Sequence, residues 1–141
     1  MLFHNINLLA VLVCAVSSFI IGGLWYSLIF NKIWLRAMGK TKDDFKDSKP
    51  GLPMLLSFVA SIIMAFILGH ILNLSFSVGH ALMPDMQMAI ETAGGCWVAF
   101  TLMPTFVTRN FEATSYNLFL IGTAYRLVDF VVMAIILTLW R

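Results

Sequence analysis

Of the 141 residues, 60% are hydrophobic and only 11% charged, with a formal net charge of +2, whereas soluble domains run at roughly 45–50% apolar and about 25% charged. That balance excludes a water-soluble globule, and a weak positive charge gathered in one connection excludes nucleic acid as a partner. At roughly 20 residues per span, four membrane helices use most of the length, so residues 1–141 read as a single transmembrane domain.

The first expected span covers residues 6–30, a run without a charged side chain and long enough to cross with some tilt. Residues 1–5 carry no Lys or Arg, and the run outlasts the roughly 7–15-residue apolar core of a secretory signal. It is expected to be retained. Residues 31–52 then turn polar, with Lys32, Arg36, Lys40, Lys42, Lys46 and Lys49 set among Asp43, Asp44 and Asp47. Within this loop Ile33, Trp34, Leu35 and Met38 alternate with Lys32 and Arg36, which predicts a short amphipathic helix at the headgroup level, ended by Gly39. Thr41 with Asp44 three residues later resembles a capping box.

Pro53 suits the first turn of a second span over residues 53–74. Pro84 and Asp85 read as a turn and an N-cap. They precede a third span over residues 88–107, with Glu91 near its start and Pro104 near its end, where a missing N–H can bend a helix. The fourth span covers residues 117–140 and contains Arg126 and Asp129. The expected fold is all-α, an integral-membrane four-helix bundle. The first and third connections carry seven Lys and Arg and the second carries none, which places the first loop in the cytoplasm and both termini outside.

Small residues recur at every fourth position, as Ala10, Cys14, Ser18 and Gly22 in the first span and Ser57, Ser61, Ala65 and Gly69 in the second. Such stripes let backbones approach closely in lipid, where hydrophobicity cannot hold helices together. A close contact between the first and second helices follows. Gly22-Gly23-Leu24-Trp25 is echoed by Gly94-Gly95-Cys96-Trp97, as in duplicated hairpins related by an axis along the membrane normal.

Arg126 and Asp129 fall near mid-depth, three residues apart on one face, where they can pair. An intramembrane charge costs at least about 2.5–3.5 kcal/mol on insertion scales, so both are expected to face the interior, with Ser17, Ser18, Ser61, Trp97 and Thr101 at similar depth. His70 and Glu91 lie shallower and could meet. These four titratable residues are candidates for an ion relay or a small polar ligand site, or else for interhelical clamps. His80, Met83, Met86 and Met88, with His70, Cys14 and Cys96 on the same half, offer soft ligands of the kind copper(I) takes, although Met also fills membrane interfaces and buried thiols behave as small hydrophobes. There is no HExxH, no CxxC and no phosphate-cradling glycine loop, and neither a catalytic residue, a metal nor a cofactor is expected. Trp25, Tyr26, Trp34 and Trp140 read as aromatic belts.

The string Gly22 to Ser27, followed by Phe30 to Gly39, resembles the bacterial membrane family called domain of unknown function 1761. So do Leu56 to Ala65 with His70, the Trp97 to Phe100 segment, and Phe111-Glu112 ahead of Leu118 to Ile121. The resemblance implies a multi-pass protein of the bacterial inner membrane and brings no activity. It draws attention to the cytoplasmic face, where Trp34, Arg36, Arg109 and Glu112 could assemble a polar cluster, with a plain Arg36–Glu112 salt bridge as the simpler reading. Three functions stay open: a structural or interaction protein of the lipid bilayer that binds a partner membrane subunit or lipid, an oligomeric small transporter or channel, and a copper-binding membrane protein.

Overall fold

Asn7 starts the first helix by offering its side-chain oxygen to the backbone N–H groups of Leu9 and Ala10, at 3.0 and 3.3 Å, which satisfies two of the donors a helix start leaves open. The structure is a computed structural model that describes residues 6–46, 50–79 and 83–140. From this cap α1 runs over Leu8–Leu24 and passes without a break into a π-turn, Trp25–Ile29. Ser27 donates its hydroxyl to the Gly23 carbonyl, a side-chain insertion of the kind that disturbs the backbone ladder. Phe30 leaves helical geometry, and α2 follows as Asn31–Ala37.

The amphipathic loop helix therefore forms, and Gly39 ends it with φ of +66°, a left-handed turn that only glycine adopts without strain. A 3-10 turn, Asp43–Phe45, comes next. Asp44 accepts from both the backbone N–H and the hydroxyl of Thr41, at 2.6 and 2.9 Å.

The second long helix, α3, spans Gly51–Gly79 and overruns the expected span at both ends. After it α4 covers Asp85–Trp97, a second π-turn covers Val98–Leu102, and α5 covers Met103–Glu112. Pro84, not Asp85, holds the cap position, and Asp85 is the first helical residue. The proline at Pro104 explains the second π-turn physically. It lacks an N–H, and its ring would clash with the carbonyl four residues back; a widened turn removes the conflict. Ala113, at φ of +51°, stops α5, and Ser115 caps α6, Tyr116–Leu139.

Side-chain contacts fix the helix directions. Ser18 meets Ser61 and Ile6 lies against Gly69, and Cys14 donates to the Met133 carbonyl while Trp25 reaches that of Ile121, so α1 is antiparallel to both α3 and α6. Thr92 meets Ser75, and a side chain at Gly79 would strike Met88, so α4 is antiparallel to α3. The core lies toward one end. It is built from Ala10, Cys14, Ala65, Leu68, Leu72, Phe76, Met88, Ala93, Cys96, Met133 and Leu137, among others. Neither π-turn, nor α5, nor any residue of α3 before Ser61 is buried.

Among the described residues three helices are long and apolar enough to cross a membrane: Leu8–Ile29, Gly51–Gly79 and Tyr116–Leu139. The expected third span is not among them. Its helical run over residues 85–112 is broken by the π-turn and carries Asp85, Glu91, Arg109 and Glu112.

Candidate functional site

Polar residues from three helices converge on one serine. Tyr125 and Asp129 stand four apart on α6 and so share a face. Ser18 of α1 donates its hydroxyl to Asp129 Oδ2 at 3.0 Å. The Ser18 hydroxyl also lies 3.2 Å from that of Ser61 and 3.3 Å from that of Tyr125, and Tyr125 donates to the Ser18 carbonyl at 3.2 Å. A hydroxyl has one proton to give. Ser18 spends it on the carboxylate, and Ser61 has the Ser57 carbonyl within 3.0 Å. α1 and α6 are thus tied at Ser18, and the Ser61 hydroxyl brings α3 into contact with the same point.

Asp129 is fully buried, and its second oxygen, Oδ1, has no hydrogen-bond partner. Its charge partner Arg126 sits 3.4 Å from Oδ2, with 39% of the arginine side chain exposed against 1% for the aspartate. The guanidinium touches the Met64 sulfur at 3.8 Å and lies 5.2 Å from the centre of the Tyr125 ring. Met64 stands one turn beyond Ser61, the first buried residue of α3, so the arginine lies at the edge of the unpacked half. The two charges differ in setting: the carboxylate is enclosed and the cation is presented.

Below this cluster two tryptophans grip α6. Trp25 donates its indole N–H to the Ile121 carbonyl at 3.1 Å, and Trp97 donates to the Thr123 carbonyl at 2.8 Å. Carbonyls two residues apart point about 200° apart around a helix, so the indoles approach from opposite flanks. Each tryptophan adjoins a π-turn preceded by paired glycines. The repeated motif therefore has a shared local structure. Yet both copies bind α6, whereas a two-fold axis would have sent Trp97 to α3, so this contact does not follow the symmetry of a duplicated hairpin.

The stripes divide in a similar way. Ala10, Cys14, Ser18, Ser61, Ala65 and Gly69 are buried, and Ser57 is exposed. Gly22 faces α6 instead of α3, since a side chain there would meet the Tyr125 hydroxyl at 3.0 Å. Gly69 lies against Ile6 and Leu137.

Other expected groupings are not brought together. Glu91 is exposed and bonded to Gln87 one turn back. His70 bonds to the Phe66 carbonyl at 2.8 Å through Nδ1, and no hydrogen bond or ion pair joins it to Glu91. On the loop side, Trp34 stacks on Phe45 at 6.0 Å and meets Tyr26 at 5.5 Å. Arg109 lies over the Tyr116 ring at 3.3 Å and bonds to Asn110. Arg36 and Glu112 are exposed and form no salt bridge. Cys14, Cys96 and Met88 are buried in the core, and His80 lies outside the described residues. Among the described residues no three His, Cys, Asp or Glu side chains are grouped to hold a metal.

Sequence reasoning missed Tyr125, whose signal was its spacing of four from Asp129. It also read Trp25 as a belt residue, whereas its indole is spent on an interhelical bond. Outside the spans, Asp44 is held below the ordinary aspartate range by the Thr41 backbone N–H first and the Thr41 hydroxyl second.

A family model described as "Protein of unknown function (DUF1761)" matches residues 9–138. No curated protein and no solved structure matches the chain.

Proposed function

From the premise that the chain belongs to the DUF1761 family, which brings no activity with it, we propose that it is an interaction protein of the bacterial inner membrane that holds a partner membrane subunit. In this reading the chain crosses four times as a four-helix bundle, with its basic loop in the cytoplasm and both termini outside. The interrupted helix at residues 85–112 is the third crossing, with its less apolar flanks covered by neighbours.

The observation that carries the reading is Arg126. Its carboxylate partner is enclosed, and two-fifths of its own side chain is left uncovered near the middle of an apolar helix. A guanidinium has five N–H donors, and here they find one carboxylate oxygen and one thioether. Charges at this depth are tolerated when they face protein or a polar partner. A helix from another subunit that offers a carboxylate or carbonyl oxygen at the same depth supplies one.

The test is co-purification after chemical cross-linking in native membranes, comparing the wild-type chain with Arg126→Gln and Arg126→Lys. Arg126→Gln is expected to remain folded and to lose its cross-linked partner, while Arg126→Lys keeps part of it. An unchanged cross-linking pattern in a folded Arg126→Gln variant overturns the reading. A cross-linked product made only of this chain identifies the partner as a second copy.

A second reading, an oligomeric small transporter, draws on Asp129 Oδ1, a buried acceptor without a partner. It predicts that Asp129→Asn abolishes an ion or proton flux measurable in proteoliposomes. Flux that survives in the folded variant removes it.

A further inference from the structure

The loop after the first span is built around a cleft of about 450 Å³ between the end of that helix and α2. Leu28, Ile29 and Ile33 form its apolar wall, and Asn31, Lys32 and Lys42 also line it. The two lysines stand ten positions apart in the sequence, and three features bring them together. Gly39 reverses the chain with its left-handed φ, and the Lys40 N–H closes that turn on the Leu35 carbonyl at 3.0 Å. Phe45 then stacks on Trp34, which pins the returning segment against α2.

The charges in this loop are divided. Asp43 pairs with Lys46, and Asp44 is taken up by Thr41. Lys32 and Lys42 are exposed and form no ion pair. Among the described residues no acidic side chain lines the cleft. The Asn31 amide is already committed to the Tyr26 carbonyl, so the two ammonium groups are the free polar equipment of the site. A pair of cations beside an apolar wall, at the point where a membrane helix gives way to an amphipathic one, matches an amphiphile with an anionic head.

We propose that this cleft binds the phosphate of an acidic phospholipid between Lys32 and Lys42, with the adjoining glycerol and first acyl carbons on Leu28, Ile29 and Ile33. The site is independent of the reading of Arg126 given above, because no residue is shared. Free inorganic phosphate has the same charge chemistry and no use for the apolar wall, so the two sources are separable.

The experiment titrates the full-length protein in neutral detergent with phosphatidylglycerol, phosphatidylcholine and inorganic phosphate, followed by native mass spectrometry and by tryptophan fluorescence. Phosphatidylglycerol is expected to saturate at one molecule per chain and to outcompete phosphatidylcholine. Each lysine near a charged surface changes affinity on the order of fivefold, so Lys32→Gln with Lys42→Gln is expected to weaken binding about thirtyfold. Lysine-to-arginine replacement at both positions retains it.

The decisive control removes two charges from the same loop outside the cleft, as Arg36→Gln with Lys40→Gln. An equal loss in that variant would mean diffuse attraction and overturn the site. Binding of inorganic phosphate as tight as that of phosphatidylglycerol, with the same lysine dependence, overturns the lipid assignment. Equal binding of phosphatidylcholine and phosphatidylglycerol overturns both.

Discussion

The hydroxyl of Ser18 reaches Asp129 Oδ2 across 3.0 Å, closer than the 3.4 Å at which Arg126 approaches the same oxygen from within α6. The aspartate is therefore held first by a neutral group on another helix and only second by the cation beside it in sequence. This makes Ser18 the residue at which α1, α3 and α6 meet.

Removing that hydroxyl leaves a buried carboxylate short of a donor, a loss of roughly 1–3 kcal/mol. Ser61→Ala removes only a neutral interhelical contact, for which membrane proteins average about 0.6 kcal/mol. Ser18→Ala is thus expected to destabilise clearly more than Ser61→Ala in reversible unfolding from detergent. Equal effects, or the reverse order, would show that Ser18 is not the hub.

Adjacent glycines in α1 make a sharp contrast. A Cβ at Gly22 would lie 3.0 Å from the Tyr125 hydroxyl and 3.4 Å from the ring carbon that carries it, whereas one at Gly23 meets nothing within 4 Å. Gly22→Ala is expected to cost about 1–3 kcal/mol through overpacking and a displaced tyrosine. Gly23→Ala should be neutral or stabilising, by up to about 1 kcal/mol, from better helix propensity. Thermal unfolding of the two variants, side by side, checks the sign of each.

Trp25→Phe and Trp97→Phe each delete one indole N–H bond to α6, for about 0.5–1.5 kcal/mol. Because the bonds fall on opposite flanks, either loss loosens the first half of α6. Amide exchange is expected to quicken around Gly122 to Arg126 and to stay slow around Met133 and Leu137, in the packed end. Unchanged exchange near Gly122 in both variants would contradict the grip.

Asp44 supplies a pH dependence with a definite sign. Its carboxyl is lowered in the folded loop by Thr41, so the turn is favoured above the ordinary aspartate value and weakened as pH falls through the lower, folded value. Nuclear magnetic resonance of the Asp44 carboxyl should show a midpoint below that of an aspartate in an unstructured peptide. Thr41→Val removes the hydroxyl and keeps the backbone N–H, and is expected to move the midpoint part of the way back.

What could be read from the sequence follows from which interactions are local. Long apolar runs marked three helices able to cross a membrane, and the Lys32–Gly39 pattern marked α2, because length and periodicity are properties of contiguous residues. The Thr41–Asp44 turn was legible for the same reason. The two π-turns were not, since a widened turn records a conflict such as the one at Pro104 and leaves no periodic trace. The site was half legible: depth alone put Ser18, Ser61, Arg126 and Asp129 at one level. Depth cannot give rotation about each helix axis, however. That missing angle separates His70 from Glu91, turns Gly22 toward Tyr125, and decides that Asp129 is enclosed while Arg126 is presented.

The 29 residues of α3 make a rod about 43 Å long, against roughly 30 Å of hydrocarbon in a typical bilayer. Such a rod must lean or protrude, and only its Ser61–Phe76 portion is anchored by burial. The end before Ser61 carries no such anchor, so in a bilayer the excess length falls on that end.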